Sequence, residues 1–587
     1  MKAPVSYRVK VFPRQHELAV EMTISGDRPA GALRLELPTW VPGDYSYFQF
    51  GRDLFDLRAA DAKGNPLAIA RDGWQAFEVK AAKGPVTVSY RAYAYGNDLS
   101  EPAGILDSDF GVILGARYLH SPALLGPCRV TYELPKGWNV HHPSGAVRVG
   151  TSTAWEYPSF EILLDTPVVM GGFDLRKRKI KGTTFSYAFV DGAIGYDAMV
   201  DRFVDDVSKV ALQFHAMFGS FPFDDYTFVL SMNPVNDWGL EHLSSTMCGL
   251  GPTVFIDPVA YAVGIRVCAH ELFHAWNVRR LRPATLGKLD FYTGTFTDGL
   301  WVAEGFTRYY EFLICTRTGA YTPGQFFSSV VNYKSHLAAT PAYRRVSAAD
   351  SSLATYLNHQ KYPGRCNNAI DYYDKGMLIA FELDVRLRLN GDSLDRAFSA
   401  FYAKYAGKGA GYTIADVVSF FEARLPGLGA LLSGAALEPA HLDTEAMLEK
   451  LGFRVESARS YYVGLMFSDT TSPAIYGVLD DAPAGLAGLA PDDVLQRVNG
   501  YPYSFQALQW AAGRRDPLTL TVLRGHRTLT AKMVPKRRNT DSALVWRGDK
   551  KQAKLVSTWL QTAFDPTPQQ PFALDYYDNF HGVETIV

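Results

Sequence analysis

His270 and His274 stand four residues apart, with Glu271 between them. On an α-helix that spacing is a rotation of about 400°, so both side chains leave one face roughly 40° apart. Two imidazoles so placed can reach one zinc ion, and Glu271 beside them can take a proton from water. The stretch Val267 to Val278 contains no Pro or Gly, offers Leu272, Phe273 and Trp276 to a core, and is followed by Pro283. A helix is therefore expected to carry the pair. Downstream, Glu304 lies in Gly299-Leu300-Trp301-Val302-Ala303-Glu304-Gly305-Phe306. A carboxylate is costly among such neighbours unless it is paired or metal-bound. Two histidines and one glutamate form an open catalytic site for one zinc ion per chain, with a position left for water. The chemistry expected is hydrolysis of an amide. Glu271 serves as general base and then returns the proton to the leaving amine, and a second electrophile is needed for the oxyanion.

The elements that must position these groups can be read from periodicity. Tyr7 to Phe12, Ala32 to Leu37 and Pro85 to Tyr95 are alternating or rich in β-branched and aromatic residues, with turns such as Pro42-Gly43-Asp44 and Lys136-Gly137 between them. Short strands at this spacing predict a β-sandwich over residues 1–172. Asp197 to Phe218 has apolar residues at helical spacing, and helical signals recur to about 450. Within this middle region, Gly239-Leu240-Glu241-His242 and Tyr372-Tyr373-Asp374-Lys375-Gly376 embed polar groups in apolar surroundings. From about 455 short strands return, among them Tyr462 to Phe467, Ala474 to Leu479, Leu518 to Leu523 and Leu529 to Val534. The last fifty residues are weakly patterned.

A chain of 587 residues is too long for one core, and three or four domains are expected. The net charge of −1 and the lack of a basic run speak against nucleic acid as a partner. Cys128, Cys248, Cys268, Cys315 and Cys366 are odd in number and have no CxxC spacing, so neither a disulfide framework nor a cysteine zinc site is expected. No stretch reaches the length of a membrane span, and the N-terminus lacks the apolar run of a signal peptide. A soluble, cytoplasmic protein is the expectation.

His270 to Pro283 together with Trp301-Val302-Ala303-Glu304-Gly305 closely resembles the glycyl aminopeptidase family, gluzincins that carry a PDZ domain. Trp40-Val41-Pro42-Gly43-Asp44-Tyr45 resembles that family's N-terminal signature, and Tyr372 to Gly376 its downstream tyrosine motif. The resemblance implies a multidomain α+β protein. It would have an N-terminal β-sandwich (1–172), a mainly helical thermolysin-like zinc peptidase domain (173–452), a PDZ-like domain (453–540) and a C-terminal tail (541–587). It implies His270, His274 and Glu304 as zinc ligands and Glu271 as general base. Tyr373 takes the place of the transition-state tyrosine, with Tyr372 as its adjacent rival. Gly239 to His242 resembles the exopeptidase loop in which a glutamate grips the substrate α-ammonium; Glu241 would take that role unless it is a solvated loop carboxylate, and the role of His242 is open. The implied activity is release of small N-terminal residues, Gly or Ala, from peptides.

In the PDZ-like segment the carboxylate loop is expected at Val463-Gly464-Leu465-Met466, in a module that either binds a peptide C-terminus or serves only as structure. The sequence ends Glu584-Thr585-Ile586-Val587, with a hydroxyl two residues before a small apolar terminus, so the tail is itself a candidate ligand for such a groove, its own or that of a neighbour in a homo-oligomer. Two other readings stand beside the aminopeptidase. One is a zinc endopeptidase with PDZ-guided substrate capture. The other is a PDZ-based peptide-binding protein.

Overall fold

The computed structural model describes residues 4–587 except 26–30, 82–83, 97–102, 193–195, 234–235, 288, 359–361, 408, 410, 440–441 and 575–584. The chain divides into two compact units: residues 1–296 with 406–411, and residues 297–405 with 412–587.

The first unit begins β-rich. In the strand Val5–Phe12, Val5, Tyr7, Val9 and Val11 are buried while Arg8 and Lys10 face solvent, the alternation a half-buried strand requires. It pairs antiparallel with Glu17–Ile24 and parallel with Cys128–Glu133 inside an eight-stranded sheet. A three-stranded sheet of Gly31–Glu36, Ala76–Ala81 and Ile69–Arg71 leads into the Trp40 to Tyr45 segment. Next comes a five-stranded mixed sheet, ordered Asp174–Ile180, Thr183–Val190, Asp225–Ser231, Ser245–Leu250, Asn236–Glu241. The helical signals beginning at Tyr196 conceal these strands. Asp225–Ser231 and Ser245–Leu250 are buried on both faces, so they read as apolar runs without alternation. Gly239 to Glu241 is therefore part of an antiparallel edge strand, not a loop, with Glu241 opposite Thr246.

Two helices of this unit pack together. Asp197–Phe218 ends on Gly219 in the left-handed region, as a helix C-terminus favours. Pro258–His274 is capped by Asp257, whose side chain accepts from Val259 N, with Pro258 in the first turn. Phe214 lies 5.2 Å from Phe273, and Phe218 stacks on Trp276 at 4.9 Å. The helix stops at His274, short of Val278, because the chain turns there: Asn277 and Leu281 form a bridge and Val278 has φ 140. A β-branched residue in that region is a backbone outlier held by its surroundings.

In the second unit, helices Gly305–Thr318, Pro323–Ala338 and Tyr372–Leu389 enclose a core with Trp301, Phe306, Phe381 and Trp559. The chain then rises into Phe453–Tyr462 and returns along Lys536–Trp546 as an antiparallel ribbon, which Pro571–Phe572 extends to a three-stranded sheet. Between the arms of the ribbon lie the short strands Leu465–Phe467 and Gly477–Val478, the helix Phe505–Ala512, and a sheet of Tyr501–Pro502, Val494–Val498, Leu518–Arg524 and Arg527–Met533, around their own apolar cluster. The tail contains more structure than its weak pattern announces. Lys550–Leu560 is a helix started by an Asp549 and Gln552 capping box, and it buries Trp559 completely. Glu584 lies outside the described residues. All five cysteines are buried and none is in a disulfide. Among the described residues no helix is long and apolar enough to cross a membrane.

Candidate active site

In the first unit the helix Pro258–His274 delivers both histidines to one point. His270 Nε2 and His274 Nε2 are 3.0 Å apart. His274 Nδ1 lies 2.7 Å from the Asn277 carbonyl. An N–H donated there leaves the lone pair of His274 on Nε2, the tautomer a metal ligand needs. Two imidazole nitrogens converging on one point are a donor set that fits zinc.

The edge strand Asn236–Glu241 lies against this helix. A Cβ at Gly239 would land on the Oε1, Cδ and Cγ atoms of Glu271, the last at 2.5 Å. Only glycine lets the strand backbone support that carboxylate so closely. Two residues along, on the same face of the strand, Glu241 is buried, and one ligand atom from each of Glu241, Glu271 and His274 lies within 4.8 Å of the others. The segment Trp40 to Tyr45 closes over Glu241. Gly43 has φ +93, and a Cβ there would meet Glu241 Oε2 at 2.7 Å and Leu240 Cδ1 at 2.8 Å. This turn is pinned from within by Trp40 Nε1 donating to Asp44 O at 2.7 Å, and from outside by Thr39 N and Trp40 N donating to Phe291 O.

In the second unit, Glu304 is buried at the junction of Leu300–Ala303 and Gly305–Thr318. Gly305 and Gly376 touch backbone to backbone. A Cβ on Gly376 would meet Gly305 Cα at 2.7 Å, and one on Gly305 would meet Gly376 Cα. This glycine contact brings the Glu304 segment against the first turn of Tyr372–Leu389. Asp371 fixes the start of that turn by accepting from Tyr373 N at 2.8 Å and Asp374 N at 3.2 Å. Burial pushes both tyrosine hydroxyls well above their ordinary range, and the Glu304 charge adds to the shift. Both phenols thus remain protonated donors at neutral pH. The rivals differ in their partners: Tyr372 OH is 2.8 Å from Thr355 Oγ1, whereas the Tyr373 ring lies under the Arg308 guanidinium at 4.9 Å. Arg308 in turn donates to Asp374 at 2.6 Å, and His336 Nδ1 lies 3.0 Å from the other oxygen of Asp374.

Residues 6–172 match the Peptidase M61 N-terminal domain, and residues 264–379 match the M61 glycyl aminopeptidase domain. Over these residues the chain is similar to the M61 glycyl aminopeptidase family. The fold agrees with the crystal structure of an aminopeptidase N family protein from Idiomarina loihiensis, at a TM-score of 0.85 and 20% identity over 95% of this chain and 100% of that one. Yeast LTA4 hydrolase in complex with bestatin is more remote, with a TM-score of 0.46 and 13% identity over 76% of this chain and 69% of that one. No curated protein matches the chain significantly. The family matched is one of peptidases. Glu241 and the segment beyond 379 lie outside both matched regions, so their roles rest on geometry.

The structure also shows residues that spacing alone could not reveal. Asp165 is buried, receives Arg279 Nη2 at 2.8 Å and Leu243 N at 2.7 Å, and lies 3.3 Å from His242 Nδ1. Burial alone would raise its carboxyl, but Arg279 and His242 outweigh that and hold it below the usual carboxylate range. Arg280 donates to both Leu243 O and Ala275 O. His242 is thereby a strut between the edge strand and the turn after the histidine helix. Removing one member of such a buried ion pair costs about 3–5 kcal/mol. Asp165 is nearly eighty residues from His242 in sequence (|i−j| = 77), and no local pattern announces the pairing. In the C-terminal part, the N–H groups of Val463, Gly464 and Leu465 converge on Val587 O at 3.1, 2.8 and 3.2 Å, while Met466 pairs with Ile586.

Proposed function

We propose that this chain is a zinc aminopeptidase that releases a small N-terminal residue, Gly or Ala, from peptides. His270, His274 and Glu304 hold the metal, whose chemistry is Lewis acidity toward the scissile carbonyl and a lowered water pKa. Glu271, seated on Gly239, takes a proton from water and returns it to the leaving amine. Tyr373 donates its hydroxyl to the oxyanion. Tyr372 is committed to Thr355 and keeps a structural place.

The observation that carries the exopeptidase reading is the position of Glu241. In an N-terminal residue the ammonium nitrogen lies about 2.5 Å from its own carbonyl carbon. A carboxylate that grips the ammonium must therefore sit within a few ångströms of the residues that handle the carbonyl. Glu241 does so relative to Glu271 and His274. The backbone of Gly43 lies close against Glu241, and the preference for a small first residue rests on the family resemblance. Residues 453–540 form a PDZ-like module beside this activity.

A panel of Gly, Ala, Leu and Phe p-nitroanilides, free and N-acetylated, tests the proposal with and without chelator. Cleavage of free Gly and Ala substrates, abolished by chelator and restored by zinc, is expected. Equal cleavage of acetylated substrates would establish the endopeptidase, and chelator-insensitive turnover would overturn the metal assignment.

A further inference from the structure

Val587 is the last residue of the sequence, yet its side chain is buried with Leu465, Phe467 and Leu508 in one apolar cluster. Its backbone is equally engaged. Val587 O accepts three N–H groups from Val463, Gly464 and Leu465, and Val587 N donates to Leu465 O at 2.9 Å. Successive N–H groups turned onto one oxygen make a concave anion-binding nest, which a neutral carbonyl does not require. Gly464 permits it: its φ is +85, and a Cβ there would run into Ala482 and lie 3.2 Å from Leu479 Cβ. Upstream, Ile586 and Thr585 add a strand to the sheet, pairing with Met466 and Phe467, and Arg538 donates to Ile586 O at 3.2 Å. Ile586 packs on the cluster of Cys366, Met466, Leu479 and Ala482.

We infer that residues 585–587 are a tethered ligand: they fill a peptide groove along Leu465–Phe467 that otherwise takes an extended peptide ending in a small β-branched residue with a free carboxylate. The inference rests on the PDZ-like reading of this segment and is independent of the peptidase chemistry. The contact is a two-residue strand and two apolar side chains, Ile586 and Val587, small enough to be exchanged. A tethered ligand acts at an effective concentration on the order of millimolar, so an external peptide of similar intrinsic affinity must compete with that. The groove is thereby kept closed to weak or dilute peptides.

The test uses the full chain and a fluorescein-labelled probe, Gly-Val-Glu-Thr-Ile-Val, as free acid and as C-terminal amide. Val587→Asp, and separately a chain lacking residues 585–587, should bind the acid probe at least tenfold more tightly than the intact chain, and the acid at least tenfold more tightly than the amide. The two variants guard against a local folding defect in either. Equal binding of the acid probe by the intact chain and both variants would show that the tail does not occupy the groove. Binding by none of them would remove the peptide groove itself. An intact chain that is dimeric, with variants that are monomeric, would place the tail in a second copy and overturn the tether.

Discussion

Gly239 lies directly beneath Glu271, so close that even a methyl group on the glycine would overlap the carboxylate arm. The strand backbone is the seat of the proposed general base, and the two residues come from motifs separated in sequence. Positioning of this kind is where a small displacement has a large kinetic effect, since a shift of about 1 Å at a reacting group can cost 10²-fold in rate. Gly239→Ala should therefore lower kcat by about 10²-fold while zinc content, read by metal analysis, stays at the wild-type level. A near-normal kcat would show that Glu271 does not depend on this seat.

Glu241 is expected to act on the substrate amine alone. Glu241→Gln retains the shape and removes the charge, so KM for free Gly and Ala substrates should rise by one to two orders of magnitude, the scale of one charge-assisted hydrogen bond of about 1.5–3 kcal/mol. The preference for free over N-acetylated substrates should shrink by the same factor. Steady-state kinetics on the paired substrates measures both, and an unchanged preference would remove Glu241 from amine binding.

Tyr372 and Tyr373 are separated by the partner of each hydroxyl or ring. Tyr373→Phe should lower kcat by about 10²–10³-fold, the usual effect of removing one oxyanion donor. Tyr372→Phe breaks the contact with Thr355 and should cost about 1 kcal/mol of stability, with kcat within a few-fold of wild type. Kinetics and urea unfolding of the two variants make the comparison, and the opposite ranking would exchange their roles.

How far the sequence carries this site depends on the range of the contacts. His270, Glu271 and His274 are legible because one helical turn sets their geometry. Glu241 is legible as a polar residue in an apolar setting, but its strand is not, because buried strands lack alternation and the neighbouring helical signals hide them. The Gly305 and Gly376 contact is present in sequence only as two glycines within motifs; that they touch each other is a tertiary fact. Asp165 bound to Arg279 and His242, and Gly43 pressed on Glu241, join segments too far apart for any spacing argument. The terminal hydroxyl and apolar residue make the tail a candidate ligand for the glycine loop at 463–466, but the pairing of Thr585 and Ile586 with Phe467 and Met466 is a tertiary fact.

Lys375 belongs to the tyrosine motif but serves no step of the proposed chemistry. It is fully buried, with Nζ 3.3 Å from Glu438 O and 5.5 Å from the centre of the Tyr343 ring. Burial pushes its ammonium pKa down to about 8. An unfolded lysine titrates near 10.4. Between those values the unfolded chain binds more protons than the folded one, so the contribution of this residue to stability rises with pH. Well below pH 8 the charged form is carried in both states, and the burial penalty is fully present. Lys375→Met should therefore stabilise the protein at pH 7 by on the order of 2 kcal/mol, less than the full shift at about 1.4 kcal/mol per pKa unit because the bond to Glu438 O is lost. The gain should shrink as the pH rises from 8 toward 10. Urea unfolding of both proteins at pH 7 and pH 10 measures it, and a gain equal at the two values would mean that packing of the methionine, not relief of the buried charge, is responsible.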